Sequence, residues 1–304
     1  QVPYVNPVPV LASSSPPSGV TDGGTTITIT GINLNGVISV VVGGVFCTSP
    51  TSVSATSITA VTSANTAGIK DIVVTTTGGY GTLSNAFTYA FDIMSIAFDG
   101  IDDGYISDTS IYHPGSTARS ISWWVKPNSP GSLYNYMIDF RLITAYWRSG
   151  ILQFGGYGVT TLVGPSAGSE WVHYVFSHSS THMFIYENGV EVASSSNGYP
   201  SYWSTTPIGI GSSHTGTNPW PGNIDEVCFW EGTALSEANA LEIYNTGSAL
   251  DMATFSGTAP TNWYRMGDDA GDSGGASGVL VDQMGNMDMS AIGAPVIESD
   301  VPPT

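Results

Sequence analysis

Trp171-Val172-His173-Tyr174-Val175-Phe176 begins the stretch that decides the fold. It runs on through His182-Met183-Phe184-Ile185-Tyr186-Glu187, Asn188-Gly189 and Val190-Glu191-Val192-Ala193, and ends at Pro219-Trp220-Pro221-Gly222-Asn223-Ile224-Asp225-Glu226-Val227-Cys228-Phe229-Trp230. Period-2 alternation flanks Asn188-Gly189 on both sides. A two-residue hairpin loop needs φ > 0 at both central positions, and Asn-Gly meets that need at least cost. The stretch therefore predicts antiparallel β-structure at the centre of the chain.

Outward from this centre, 304 residues suggest roughly two domains. Charged residues make up 10%, with 37 glycines and no long helical periodicity, which reads as all-β with many turns. The net charge of −18 is unevenly placed. Residues 1–91 hold Asp22, Asp71 and Lys70, whereas residues 92–304 hold 22 acidic and five basic residues, about −17. Such a surface repels phosphate backbones and excludes nucleic acid as a partner. It offers carboxylates to hard cations such as Ca²⁺, and equally suits a solvated surface in a saline habitat. Cys47 and Cys228 fall in different predicted domains, so no disulfide between them is expected. No apolar run approaches the ~20 residues of a membrane span.

Residues 1–15 are rich in Pro and Ser and read as an extended lead-in outside any central ladder. Beyond them, Asp22-Gly23-Gly24 marks a turn, Thr25 to Thr30 alternates, and further short strands follow at Val37 to Val42, near Ile58 to Val61 and at Ile69 to Thr75. Strands at this spacing describe an Ig-like sandwich. The run from Pro17 through Gly23-Gly24-Thr25 to Leu34, then Val41 to Gly44 and Phe87-Thr88-Tyr89, resembles the IPT/TIG family of Ig-like domains over residues 1–89. The resemblance implies a spacer or interaction role; the DNA-binding use of that family needs basic loops, and this copy has one lysine. Ala90-Phe91-Asp92 leaves a very short junction.

Residues 92–304 carry a second set of motifs. Phe98-Asp99-Gly100-Ile101-Asp102-Asp103, Ser120-Ile121-Ser122-Trp123-Trp124-Val125-Lys126-Pro127, Trp171-Val172-His173, the Asn188-Gly189 hairpin and Gly222-Asn223-Ile224-Asp225-Glu226-Val227 resemble, in order and spacing, the laminin-G-like members of the concanavalin A-like jelly-roll family. One short helix is expected at Leu235 to Tyr244, capped by Ser236, with Ala238, Leu241 and Tyr244 on one face and Gly247 at its end. Asn262-Trp263-Tyr264-Arg265-Met266-Gly267-Asp268 and Val281-Asp282-Gln283-Met284-Gly285-Asn286 resemble segments that open this domain in many relatives, yet here they come last. A circularly permuted sandwich that takes back residues 262–300 explains this, since a lone exposed strand would be an aggregation hazard; a truncated second repeat is the alternative. Residues 270–280 read as a loop, and residues 131–170 match no motif.

Three acidic clusters are candidates for Ca²⁺: Asp99, Asp102 and Asp103; Asp225 and Glu226; and Asp268, Asp269 and Asp272. The resemblance implies that the Phe-Asp-Gly and Ile-Asp-Glu segments lie side by side, so Asp99, Asp102, Asp103, Asp225 and Glu226 form the first-choice metal set. Turn-forming Asp residues without an ion are the competing account. Laminarinase-like glycosidases of this fold need a carboxylate pair on one strand about 5 Å apart. Asn223 and Cys228 stand where that pair would be, which argues against hydrolysis. Among the histidines, His173, His178 and His182 lack zinc-protease spacing and read as packing residues. The aromatic loop Tyr199, Tyr202 and Trp203 is a candidate glycan platform, because flat rings stack on sugar faces; capping of the sandwich is the alternative.

Together these readings predict an N-terminal Ig-like β-sandwich followed by a concanavalin A-like jelly roll, non-enzymatic. The pairing resembles structural proteins of marine bacteriophages and implies a multi-copy virion-surface adhesion or display protein, with other virion subunits and a cell-surface glycan as partners. A secreted bacterial adhesin or filament subunit has the same architecture. A polysaccharide-degrading enzyme is the reading from another class.

Overall fold

The computed structural model describes residues 6–91, 93–108, 111–113, 117–128, 134–139, 143–155, 162–166, 168–196, 204–269 and 271–303. Two units divide the chain, Gln1–Ile93 and Met94–Thr304.

In the first unit, a four-stranded sheet runs in the order Val10–Ser15, Gly23–Ile32, Ser57–Ser63 and Thr48–Ser54. A five-stranded sheet runs Ser18–Val20, Gly79–Ala90, Gly68–Thr76, Val37–Val42 and Val45–Phe46. Alternation explains the core: Ile27 and Ile29 from one sheet meet Ile72, Val74 and Phe87 from the other, all buried. The lead-in differs from expectation in its second half. Val10–Ser15 contains no proline, and it pairs antiparallel with Gly23–Ile32 as an edge strand.

The second unit holds two eight-stranded sheets and a two-stranded pair, Ile111–His113 with Ser204–Thr206. One runs Val190–Ser195, Met183–Glu187, Val172–His178, Arg119–Pro127, Pro221–Glu231, Ser95–Asp99 and Val296–Glu298, with Asn262–Tyr264 pairing on Pro221–Glu231. The other runs Leu162–Ser166, Ile151–Gly155, Thr144–Arg148, Asn135–Asp139, Gly209–Ile210, Gly104–Ser107, Met289–Ile292 and Val279–Leu280. Their facing side chains form one core in which Phe154 and Phe176 stack at 4.9 Å and Trp147 meets Trp220 at 5.5 Å. The predicted hairpin is present: Asn188 and Gly189 have φ of 50° and 80°, and Glu187 pairs with Val190.

The tail belongs to this same sandwich. Asn262–Tyr264 pairs with Pro221–Glu231, Met289–Ile292 with Gly104–Ser107, and Val296–Glu298 with Ser95–Asp99. The tail strands thus pair into both eight-stranded sheets of this unit. Trp263 and Met266 are buried accordingly.

The helix spans Glu237–Tyr244 with Ser236 as N-cap in a capping box with Asn239. Its buried face is Ala240 and Ile243, not the expected Ala238 and Leu241, and Leu241 is 53% exposed. A left-handed Asn245 ends it, ahead of Gly247. No helix among the described residues is long and apolar enough to cross a membrane.

Candidate functional site

The predicted metal set is not brought together. Asp99 lies opposite Pro221 and Ile96 opposite Ile224, so the two segments do run side by side. Asp225, however, stands four residues beyond Pro221, about 13 Å along a strand rising ~3.3 Å per residue. Burial separates the two ends further: Asp99 and Asp102 are exposed, whereas Asp225 is fully buried, with one oxygen accepting the Glu226 N–H at 2.8 Å.

Asp99, Asp102 and Asp103 alone form a cluster, with one carboxylate oxygen each within 4.8 Å of the others. Local hydrogen bonds account for its shape. Asp103 accepts the N–H groups of Asp99 at 3.0 Å and Ala294 at 2.7 Å, and Asp99 accepts that of Ile101 at 2.7 Å. Ca²⁺ takes six to eight oxygens; this turn offers three carboxylates, those of Asp99 and Asp102 exposed. Asp225 and Glu226 lie outside this cluster.

Glu226 has another role. A bulge opposite Trp123 disturbs the pairing of Arg119–Pro127 with Pro221–Glu231 and gives Glu226 a φ of 46°. Its carboxyl group accepts the Trp263 indole N–H at 2.5 Å and lies 3.6 Å from Arg265, whose guanidinium is also 3.7 Å from Asp268. All three side chains are buried. Burial pushes the Glu226 carboxyl up to about 8, against the pull of Arg265 and Trp263. The expected Asp268, Asp269, Asp272 cluster is likewise structural in part: Asp272 accepts Val281 and Gly267 N–H groups at 2.7 and 2.8 Å, and burial raises it to about 6.

Asn223 donates its amide to Ser95 at 3.1 Å and to Glu298, and Cys228 is buried and free. His173, as expected, is a packing residue. Its ring bonds Ser122 at 2.8 Å, and burial pushes it down to about 3, so it is neutral. His173 and Tyr244 both pack on Trp124, at ring-centroid distances of 5.1 and 5.8 Å, and on each other at 6.2 Å. The loop holding Tyr199, Tyr202 and Trp203 lies outside the described residues.

The two motif sets have counterparts in known families. Residues 9–91 match the IPT/TIG domain, and residues 98–240 match the concanavalin A-like lectin/glucanases superfamily. The chain is an IPT/TIG domain followed by a concanavalin A-like domain. No curated protein matches it. A Bacteroides ovatus protein provisionally designated carbohydrate-binding is similar in fold, at a TM-score of 0.56 and 16% identity over 88% of this chain and 80% of its own. A heptameric SAP-like pentraxin from Limulus polyphemus matches at a TM-score of 0.42 and 14% identity, over 52% of this chain and 84% of its own. The tail strands from Asn262 onward lie beyond the residues matched to the concanavalin A-like family, although they complete that domain's sheets.

Proposed function

We propose that the protein is a non-enzymatic surface adhesion or display protein whose concanavalin A-like domain binds glycans and whose IPT/TIG domain serves as spacer or anchor. The Pro221–Glu231 strand carries this reading. Retaining hydrolysis needs two carboxyl groups about 5 Å apart and open to substrate. Here Asn223 and Cys228 occupy the relevant places, and Glu226 is enclosed with Trp263 and Arg265. The similarity in fold to the Bacteroides ovatus protein supports binding as the retained use of this scaffold.

The placement is a virion exterior carrying many copies. At about −17, residues 92–304 repel close neighbours, so they are better held in solvent, where salt screens them beyond about 10 Å. Multiple copies turn weak glycan contacts into avidity. Immunogold labelling of native particles tests this: label on the particle surface is expected. Label confined to a bacterial envelope would move the protein to a cell-surface adhesin, and free protein in the cytoplasm would overturn the placement.

Within this reading Ca²⁺ is assigned to Asp99, Asp102 and Asp103, without Asp225 or Glu226. Added Ca²⁺ then raises the melting temperature of the second unit, by roughly 2.7 kcal/mol of stability at a hundredfold excess over its dissociation constant. Asp102→Asn removes most of that gain. A melt unchanged between chelator and Ca²⁺ refutes the assignment.

A further inference from the structure

We propose that the concanavalin A-like domain takes an uncharged saccharide in a pocket formed by the hairpin tip, the end of the helix and the returning tail; this rests on the glycan-binding reading above. The pocket has a volume of about 380 Å³ and is lined by Trp124, Trp171, Asn188, Tyr244, Thr246 and Ser248 among others. That is within the range of small-ligand sites, about 300–1,000 Å³.

Its aromatic wall is fixed in advance. The Trp171 indole N–H donates to Asp300 at 3.0 Å, and the other Asp300 oxygen accepts the Lys126 ammonium at 2.6 Å. Trp124, His173 and Tyr244 pack against one another, with ring centroids 5.1, 5.8 and 6.2 Å apart. Half-buried Trp171 and Tyr244 therefore present rings that need little ordering when a ligand arrives. Aromatic rings of this kind combine apolar area with a polar edge, which matches the apolar face and polar rim of a pyranose.

The polar groups are complementary. Asn188 accepts the His173 backbone N–H through its side-chain oxygen at 3.0 Å, which sets the amide plane and leaves the NH₂ group as a donor. Thr246 donates its hydroxyl hydrogen to the Asn245 carbonyl at 2.7 Å, so its oxygen serves as an acceptor. Ser248 similarly donates to the Asn245 carbonyl at 3.2 Å and accepts the Asn245 side-chain amide at 3.1 Å, which leaves its oxygen one further acceptor position. One donor amide and two acceptor hydroxyls suit vicinal sugar hydroxyls. None of the six wall residues is charged, and the nearby Lys126 is engaged by Asp300. An anionic sugar would find no free cation there and would meet the repulsion of a strongly acidic domain. The ligand class is accordingly a neutral saccharide.

The test titrates the full chain with laminaritriose, cellotriose, mannotriose and, as the anionic comparison, 3′-sialyllactose, following tryptophan emission. At least one neutral trisaccharide is expected to bind and the sialylated one not. Trp171→Ala and Asn188→Ala should each weaken binding about tenfold or more, equivalent to about 1.4 kcal/mol, while Trp171→Phe keeps a flat ring and most of the affinity. Circular dichroism melts identify which variants remain folded. Neutral-sugar binding that survives both alanine substitutions overturns the pocket and leaves the glycan-binding reading standing. Binding of the sialylated sugar alone overturns the neutral class. No binding of any of the four overturns the pocket together with that reading.

Discussion

Asp282→Ala is expected to destabilise the second unit by about 4 kcal/mol or more, read as a fall in the urea midpoint followed by tryptophan fluorescence. The Asp282 carboxylate is 2% exposed and organises the turn that returns the tail to the sandwich. It accepts the backbone N–H groups of Trp263 at 2.9 Å, Met284 at 3.1 Å, Asn286 at 3.1 Å and Met287 at 3.0 Å, and the side-chain amide of Asn262 at 2.7 Å. The bonds from Trp263, Met287 and Asn262 are buried. Each buried donor left without a partner costs about 1–3 kcal/mol, which places the loss in the exceptional range for one substitution. Asp282→Asn keeps one acceptor oxygen and should cost distinctly less. A fall below about 1 kcal/mol for the alanine variant would mean that this turn does not hold the tail in place.

The second large effect is expected at Arg265, whose guanidinium is 1% exposed and sits among Glu226, Asp268 and the Trp263 ring, 5.9 Å from the ring centroid. Removing Arg265 leaves the buried Asp268 carboxylate without its cation, and breaking a buried pair in this way costs about 3–5 kcal/mol. Arg265→Ala should fall in this range. The same cluster gives a pH signature with a definite sign. Because burial raises the folded Glu226 carboxyl to about 8 from its ordinary value of 4.5, its contribution is complete at and below about pH 4.5. It is lost as pH rises through about 8. The second unit should therefore lose stability progressively from about pH 4.5 to about pH 8 and level off above that, and Glu226→Gln should flatten that decline. A wild-type midpoint that rises over this interval, or a slope unchanged in the Gln variant, would contradict the assignment.

Much of the architecture was legible because local rules and the overall fold agree. Asn188-Gly189 forces the hairpin, and the buried strands around Trp123 and Phe176 follow from their apolar alternation. The tail was legible because Trp263 and Met266 would be hazardous if exposed. Where local rules are silent, legibility stopped. Asn135–Asp139, Thr144–Arg148 and Ile151–Gly155 are short, and glycines and aromatic residues interrupt their pattern; the register is set by cross-strand pairs such as Tyr136 with Tyr146 and Trp147 with Leu152. The helix was placed correctly, but eight residues carry too little pattern to choose a face, and its neighbours select Ala240 and Ile243.

The site was less legible than the fold. Asp99 and Asp225 do lie on paired strands, yet a four-residue offset in register keeps them apart, and offset is not written in either motif. Glu226 follows Asp225 directly, but a bulge with φ of 46° directs it to Trp263 and Arg265. The pocket beside Trp171 draws on segments from Trp124 to Pro303. No single stretch of sequence announces it; the signal was that Trp171 and Tyr244 are half-buried aromatic residues at the ends of their elements, where a complete core would have no need of them.

Binding without cleavage is the central claim, and one measurement tests it most directly. Purified full-length protein is incubated with immobilised and soluble β-glucans and mannans, and retention on the solid phase is measured together with release of new reducing ends. Retention with no increase in reducing ends is the expected result. New reducing ends that disappear in Asp225→Asn or Glu226→Gln would contradict the account, since they would make the Pro221–Glu231 strand a catalytic one.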